Sequence, residues 1–208
     1  SERLPLYAAV LNRLGGAEAA YPCTCTRGDI ERAASAPHLE HAGPAYPGTC
    51  ARRRQADADC LAAPFAWRVR AAGRRYAWSD GLLGPCALSL DEVGGDFVVW
   101  KAQNTPAYQL AVVVDDADLG ITEVVRGDDL VPSTPRQLLL YDLLGLTPPR
   151  FIHVPLVVGA DGRRLAKRHG DTRLTALRDE GISPRELVGF LAWTCGWLSR
   201  PVPVSPAE

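Results

Sequence analysis

Two groups of residues in this chain have the types and spacing to do chemistry. The first is a basic loop, Arg163-Arg164-Leu165-Ala166-Lys167-Arg168-His169-Gly170, placed after a strand-and-turn pattern. Of 23 basic residues 21 are arginine, so Lys167 stands against a strong bias. A compact ammonium on a flexible stem suits a point contact with a moving phosphate, and a planar guanidinium does not replace it freely. The plain alternative is an exposed charged turn. The second group is Cys23-Thr24-Cys25, followed by Tyr46-Pro47-Gly48-Thr49-Cys50. Three thiolates bind zinc well, and the binding energy of such a site is also folding energy. Spacing leaves the fourth ligand open among Tyr46, His38, His41 and Cys60, with zinc's usual preferences favouring His or Cys over a phenol. The plain alternative is a set of ordinary reduced cysteines, as expected for Cys86 and Cys195. A zinc here would be structural, because no glutamate is placed as a general base.

The elements that must position these groups read as follows. Residues 3–14 form a helix, with Leu4, Tyr7, Ala8, Leu11 and Leu14 on one face and Gly15-Gly16 as its stop. From Tyr21 to Pro64 the chain is irregular, rich in Pro, Gly, Ala and Cys, with a short helix over 27–35. Such a segment lacks apolar content for a core and needs a staple. Phe65–Val69 and Arg75–Trp78 read as short strands around a turn at Gly73. Asp96–Trp100, Leu110–Val114 and Ile121–Val125 are strand-like. Ser133 or Thr134 then caps a helix that carries Pro135 in its first turn and ends at Gly145. Phe151–Val158 reads as a buried strand leading to the basic loop. Ser183-Pro184-Arg185-Glu186 is a capping box that opens a helix running to Trp193. Carboxylates and an arginine just past successive strands sit where open α/β sheets place ligands.

Composition sets the frame. At 208 residues and 47% hydrophobic content the chain can build a core, and its net charge of −1 demands neither nucleic acid nor membrane as a partner. RNA contact would have to come from local patches such as Arg52-Arg53-Arg54 or Arg74-Arg75. No apolar run approaches the roughly 20 residues of a membrane span. Six irregularly spaced cysteines fit a metal site in a reducing, cytoplasmic setting better than a disulfide framework. The chain has no methionine and starts at Ser1, which points to a piece of a longer protein.

Taken in order, a set of motifs carries a resemblance. They are Tyr21-Pro-Cys-Thr-Cys-Thr-Arg27, Gly95-Asp-Phe-Val-Val99 and Ala107-Tyr-Gln-Leu-Ala-Val-Val-Val-Asp-Asp116. Gly120-Ile-Thr-Glu-Val-Val-Arg-Gly-Asp-Asp129, Thr134-Pro-Arg-Gln137, His153-Val-Pro-Leu156 and Arg164-Leu-Ala-Lys-Arg168 complete the set. The chain resembles the glutamyl-tRNA synthetase group of class I synthetases. Within that group it is similar to the short glutamyl-queuosine tRNA(Asp) synthetase branch, which lacks an anticodon-binding domain. The likeness runs from residue 1 to about residue 195.

The resemblance implies an α/β, Rossmann-like class I catalytic domain with a zinc-stapled insertion and a C-terminal helical segment. Residues 1–20 would end the first Rossmann half, and 21–90 would be the zinc-binding insertion and connective region. Residues 91–150 would form the second half, and 151–208 the ATP loop with the helical region. The first strand, the His-Ile-Gly-His-type helix and the next strand are expected ahead of Ser1, leaving the N-terminal half-sheet absent and the activity of this chain alone in doubt. Lys167 matches the ATP-contacting lysine of the Lys-Met-Ser-Lys-Ser-type loop, although Arg164 and Ala166 replace the usual Lys and Ser. Tyr108 and Arg126 match the pair that holds L-glutamate. The plain alternatives are a core Tyr108 and an Arg126 paired with Asp128 or Asp129. Cys23, Cys25, Tyr46 and Cys50 match a zinc site completed by tyrosine, against the preference drawn from spacing.

The implied reaction is ATP-dependent activation of glutamate, with Mg2+, and transfer to queuosine in the anticodon of tRNA(Asp) by a cytoplasmic monomer. The nearest rival charges a tRNA 3′ end. Only 40 residues follow Arg168 (208 less 168), too few for an anticodon-binding module. The tail Arg200–Glu208 reads like a natural end. A second rival is a non-catalytic, zinc-stapled RNA-binding module.

Overall fold

The computed structural model describes residues 2–33, 45–62, 64–159 and 173–205. Two units make up the chain, Ser1–His153 and Val154–Glu208. The basic loop with Lys167, and both His38 and His41, lie outside the described residues.

In the first unit, helix α1 (Leu4–Gly16) buries Tyr7, Leu11 and Leu14, the one-sided spacing of an amphipathic helix. The helix ends at Gly16, where the sequence predicts the Gly15-Gly16 pair to stop it. The chain turns at Glu18, whose φ is 54°. Strand β1 (Ala20–Cys23) follows and is buried throughout, within a stretch whose composition suggests irregular structure. It pairs antiparallel with β2 (Ala66–Val69), which pairs antiparallel with β5 (Phe97–Lys101), and β6 (Thr105–Pro106) closes the order β1-β2-β5-β6. Between β1 and β2 lies the short helix α2 (Arg27–Ala33). Strand β3 (Arg75–Asp80) does not pair with β2 across Gly73. Its partner is β4 (Gly84–Ser89), a strand the sequence pattern does not announce.

Leu110–Val114 corrects the sequence reading most sharply. This β-branched run is helical, part of α3 (Tyr108–Asp118). A short apolar run does not by itself separate strand from helix. Here Leu110, Val113 and Val114 supply the buried positions, at i, i+3 and i+4, against α1 and α4. Strand β7 (Glu123–Gly127), helix α4 (Thr134–Leu143) and strand β8 (Arg150–Val154) come next. Helix α4 stops at Gly145, where φ is 58° as a left-handed terminator requires. Strand β8 is shorter than the apolar run Phe151–Val158 suggests. The Arg150 amide donates to the Thr122 carbonyl at 2.8 Å, start against start, so β7 and β8 run the same way. A helix lies between them, as a parallel crossover needs.

The second unit contains α5 (Leu174–Asp179) and α6 (Pro184–Thr194). The capping box holds as read: the Glu186 amide donates to Ser183 Oγ, and the Ser183 amide to Glu186 Oε2. Residue Gly189 of α6 packs under the Val202 backbone. No helix among the described residues is long and apolar enough to cross a membrane.

Candidate functional site

Strands β7 and β8 deliver Arg126 and His153 to their carboxyl ends, the side of a parallel pair where α/β proteins bind ligands. Arg126 is largely buried. Its Nε donates to His153 Nε2 at 3.0 Å, Nη1 to Gln137 Oε1 at 2.7 Å and Nη2 to Thr134 Oγ1 at 2.8 Å. Its guanidinium carbon sits 4.9 Å from the Phe151 ring centre. Burial lowers the Arg126 pKa, and the nearby Tyr108, Asp116 and Asp80 partly offset that. Tyr108 opens α3, is 54% exposed, and is not the core residue of the plain alternative. The structure therefore brings Tyr108 and Arg126 together across 18 residues of sequence (126 less 108). Asp128 and Asp129 do not hold Arg126; its hydrogen bonds go to His153, Gln137 and Thr134.

Ser133 stands at the N-cap position of α4, but neither its hydroxyl nor that of Thr134 bonds the helix start. Thr134 Oγ1 is committed to Arg126, and Ser133 Oγ accepts from Gln109 Nε2 at 3.0 Å. Gln109 Oε1 in turn accepts from Gln137 Nε2 at 3.0 Å. Cap residues by type serve here as polar lining for a site.

Behind Arg126 stands a residue pair that sequence reasoning missed. His153 Nδ1 lies 2.5 Å from Asp80 Oδ2, and both side chains are fully buried. Asp80 Oδ1 accepts from the amides of His153, Leu82 and Leu83, each at 3.1 Å. Burial alone would raise the Asp80 carboxyl, but the His153 hydrogen bond and these amides outweigh it and hold the pKa well below the usual range.

The second site gathers at the end of β1. The sulfurs of Cys23, Cys25 and Cys50 all lie within 4.8 Å of one another. Tyr46 Oη is 3.4 Å from Cys23 Sγ and 3.9 Å from Cys25 Sγ, and Cys25 and Cys50 sulfurs are 3.6 Å apart. Tetrahedral zinc with ligands at 2.0–2.3 Å sets ligand atoms about 3.5–3.8 Å apart. The three thiols stand close enough together to hold such an ion, and the Tyr46 phenol lies within reach of two of them. Cys60 is exposed and stands outside the group. Burial pushes the Cys25 thiol up to about 11, helped by its contact with Cys50. Burial acts the same way on Cys50, but the Thr24 amide and the Tyr46 hydroxyl prevail and bring it to about 7. Arg68, itself buried, donates from Nε to Cys23 Sγ at 3.4 Å and lies 4.0 Å over the Tyr46 ring. A cavity of about 390 Å³ separates this knot from Tyr108, lined by Arg27, Tyr46, Arg68, Tyr108, Gln109 and Arg136.

A family model described as tRNA synthetases class I (E and Q), catalytic domain, matches residues 1–199. The chain belongs to this family. The glutamyl-Q tRNA(Asp) synthetase of Rhodopirellula baltica is 49% identical over 207 residues, covering 94% of this chain and 63% of that protein. The protein of the same name from Symbiobacterium thermophilum is 47% identical over 214 residues, covering all of this chain and 65% of its own length. The chain thus spans under two thirds of the length of these relatives. Among solved structures, the glutamate-tRNA synthetase of Elizabethkingia anophelis superposes with a TM-score of 0.71 at 23% identity, covering 92% of this chain and 44% of that one. That likeness fixes the fold of this synthetase-family chain: a mixed α/β class I catalytic domain.

Proposed function

We propose that this chain is the catalytic portion of an ATP-dependent ligase that activates L-glutamate and transfers it to queuosine in the anticodon of tRNA(Asp). The observation that carries the reading is Arg126: a half-buried guanidinium braced by neutral acceptors, with Tyr108 nearby. Such a group receives a side-chain carboxylate in two parallel hydrogen bonds and selects glutamate over glutamine. Similarity to the two glutamyl-Q tRNA(Asp) synthetases supports queuosine as acceptor.

In the first step the glutamate α-carboxylate attacks the α-phosphorus of ATP in line, and Mg2+-bound pyrophosphate leaves. Charge grows on the bridging and leaving oxygens. A cation brought to those oxygens stabilises that transition state more than the ground state, the role proposed for Lys167. Arg126 and Tyr108 hold the amino acid so that its α-carboxylate faces the nucleotide. In the second step a queuosine hydroxyl attacks the activated carbonyl, its proton leaves and AMP departs. Cys23, Cys25, Tyr46 and Cys50 would hold one Zn2+, whose part is to fold the insertion. The protein would be a cytoplasmic monomer.

The test is glutamate-dependent ATP–pyrophosphate exchange without tRNA, followed by transfer to tRNA(Asp) with and without queuosine. Exchange without tRNA and labelling only of the queuosine form are expected. Labelling at the 3′ adenosine would instead make this a charging enzyme. No exchange from the complete gene product would favour the RNA-binding module.

A further inference from the structure

We infer that Asp80 and His153 are positioning residues that set the carboxylate selectivity of Arg126. The inference rests on the reading of Arg126 as receptor for the glutamate side chain and adds what makes it selective. A guanidinium can only donate, so the 3.0 Å contact from Arg126 Nε requires a lone pair on His153 Nε2. The ring proton must then sit on Nδ1, where Asp80 Oδ2 accepts it at 2.5 Å. His153 is therefore neutral, and its tautomer is dictated from both ends.

This arrangement solves an electrostatic conflict. A buried arginine needs negative charge nearby, yet a protein carboxylate directly on its open edge would compete with the substrate's own. Here His153, Gln137 and Thr134 orient the guanidinium through uncharged acceptors. The compensating charge of Asp80 is held one imidazole away and is still felt by Arg126. Asp116 is the other acid Arg126 feels, ahead of Asp80, but it makes no hydrogen bond to the guanidinium. A substrate carboxylate completes the ion pair, whereas an amide cannot.

The hairpin of β3 and β4 exists in a form that allows this. Its tip docks on β8, where the Gly81 amide donates to the Phe151 carbonyl at 2.9 Å. A Cβ on Gly81 would lie 2.6 Å from Ile152 Cγ1, so only glycine lets Asp80 approach His153 this closely. The connective region thus braces the receptor built by the sheet.

The experiment compares Asp80→Asn, His153→Leu, His153→Gln and Arg126→Lys in the complete gene product, with folding checked by thermal melts. Asp80→Asn lets the ring proton move to Nε2, setting donor against donor at Arg126. Losing a hydrogen bond to a charged group corresponds to about 10- to 100-fold. We expect the glutamate KM in pyrophosphate exchange to rise by that factor for Asp80→Asn and His153→Leu, with kcat nearly kept. Preference for glutamate over glutamine should fall in parallel, and His153→Gln, which retains an acceptor, should recover most of the loss. Nitrogen-15 NMR of the unmodified protein should show His153 as the neutral Nδ1–H tautomer. Unchanged KM and preference in both damaging variants, while Arg126→Lys loses glutamate, would overturn the inference. An Nε2–H tautomer would do so without any variant. If Arg126→Lys also leaves glutamate binding intact, the reading of Arg126 itself fails.

Discussion

The Arg68 guanidinium lies 4.0 Å above the ring of Tyr46 while its Nε reaches Cys23 Sγ at 3.4 Å. One cation thus covers two of the four groups that would ligate zinc. Three thiolates around Zn2+ carry net negative charge, and a buried arginine on the sulfur offsets it without competing for the metal.

The purified protein should contain about one zinc per chain by atomic absorption. Arg68→Leu should weaken zinc retention about 10- to 100-fold, measured by competition with a chelator. Cys25→Ser should remove most of the metal. Wild-type zinc affinity in Arg68→Leu would show that the stacking is packing alone.

Lys167→Ala should slow glutamate-dependent pyrophosphate exchange by about 10²- to 10³-fold if the ammonium contacts the transition state. The effect should fall on kcat with little change in KM. Normal turnover would reduce Lys167 to a surface charge.

Acid should expose the Asp80 contribution. Its folded pKa is depressed, so its stabilisation is complete above the unfolded value, about 3.9, and is lost as pH falls below that towards the folded value. Thermal melts between about pH 6 and pH 2 should show wild type losing stability below pH 4. Asp80→Asn should begin lower and lose less over that range. Parallel curves would mean that Asp80 titrates normally.

Packing gives two further contrasts. Leu110 is fully buried and Leu119 is 68% exposed. Leu110→Ala should cost about 2–5 kcal/mol in chemical denaturation, and Leu119→Ala less than about 0.5 kcal/mol. In the second unit, a Cβ at Gly189 would overlap the Val202 carbonyl. Gly189→Ala should release the tail and make residues near Val202 a new site of limited proteolysis.

What the sequence revealed followed from the range of each interaction. Two local signals were dependable: the Ser183–Glu186 box and the Gly145 stop are written within a few residues and stand as read. The Cys23, Cys25 and Cys50 group was legible because metal ligands have a distinctive chemistry, whereas spacing alone did not single out Tyr46 beside it. The run Leu110–Val114 misled because β-branching signals strand, whereas packing on one side decided for helix. The Asp80–His153 contact spans 73 positions and joins a strand that composition barely marks to one that looks like plain core. Neither residue has a motif around it that declares the other. Thr134 looked like a cap for good reason, and only the arrival of Arg126 from β7 turned its hydroxyl away.

The start-to-start alignment of β7 and β8 carries a lesson for anyone re-engineering this scaffold. Side chains along β8 alternate, with Phe151 and His153 turned inward, Ile152 and Val154 half-covered and Arg150 exposed. Adding or deleting a single residue between Gly145 and Arg150 would, if absorbed as a register slip, exchange those faces and leave Arg126 pointing at Ile152 or Val154. Loop grafts at this corner should therefore change length in steps of two, or not at all.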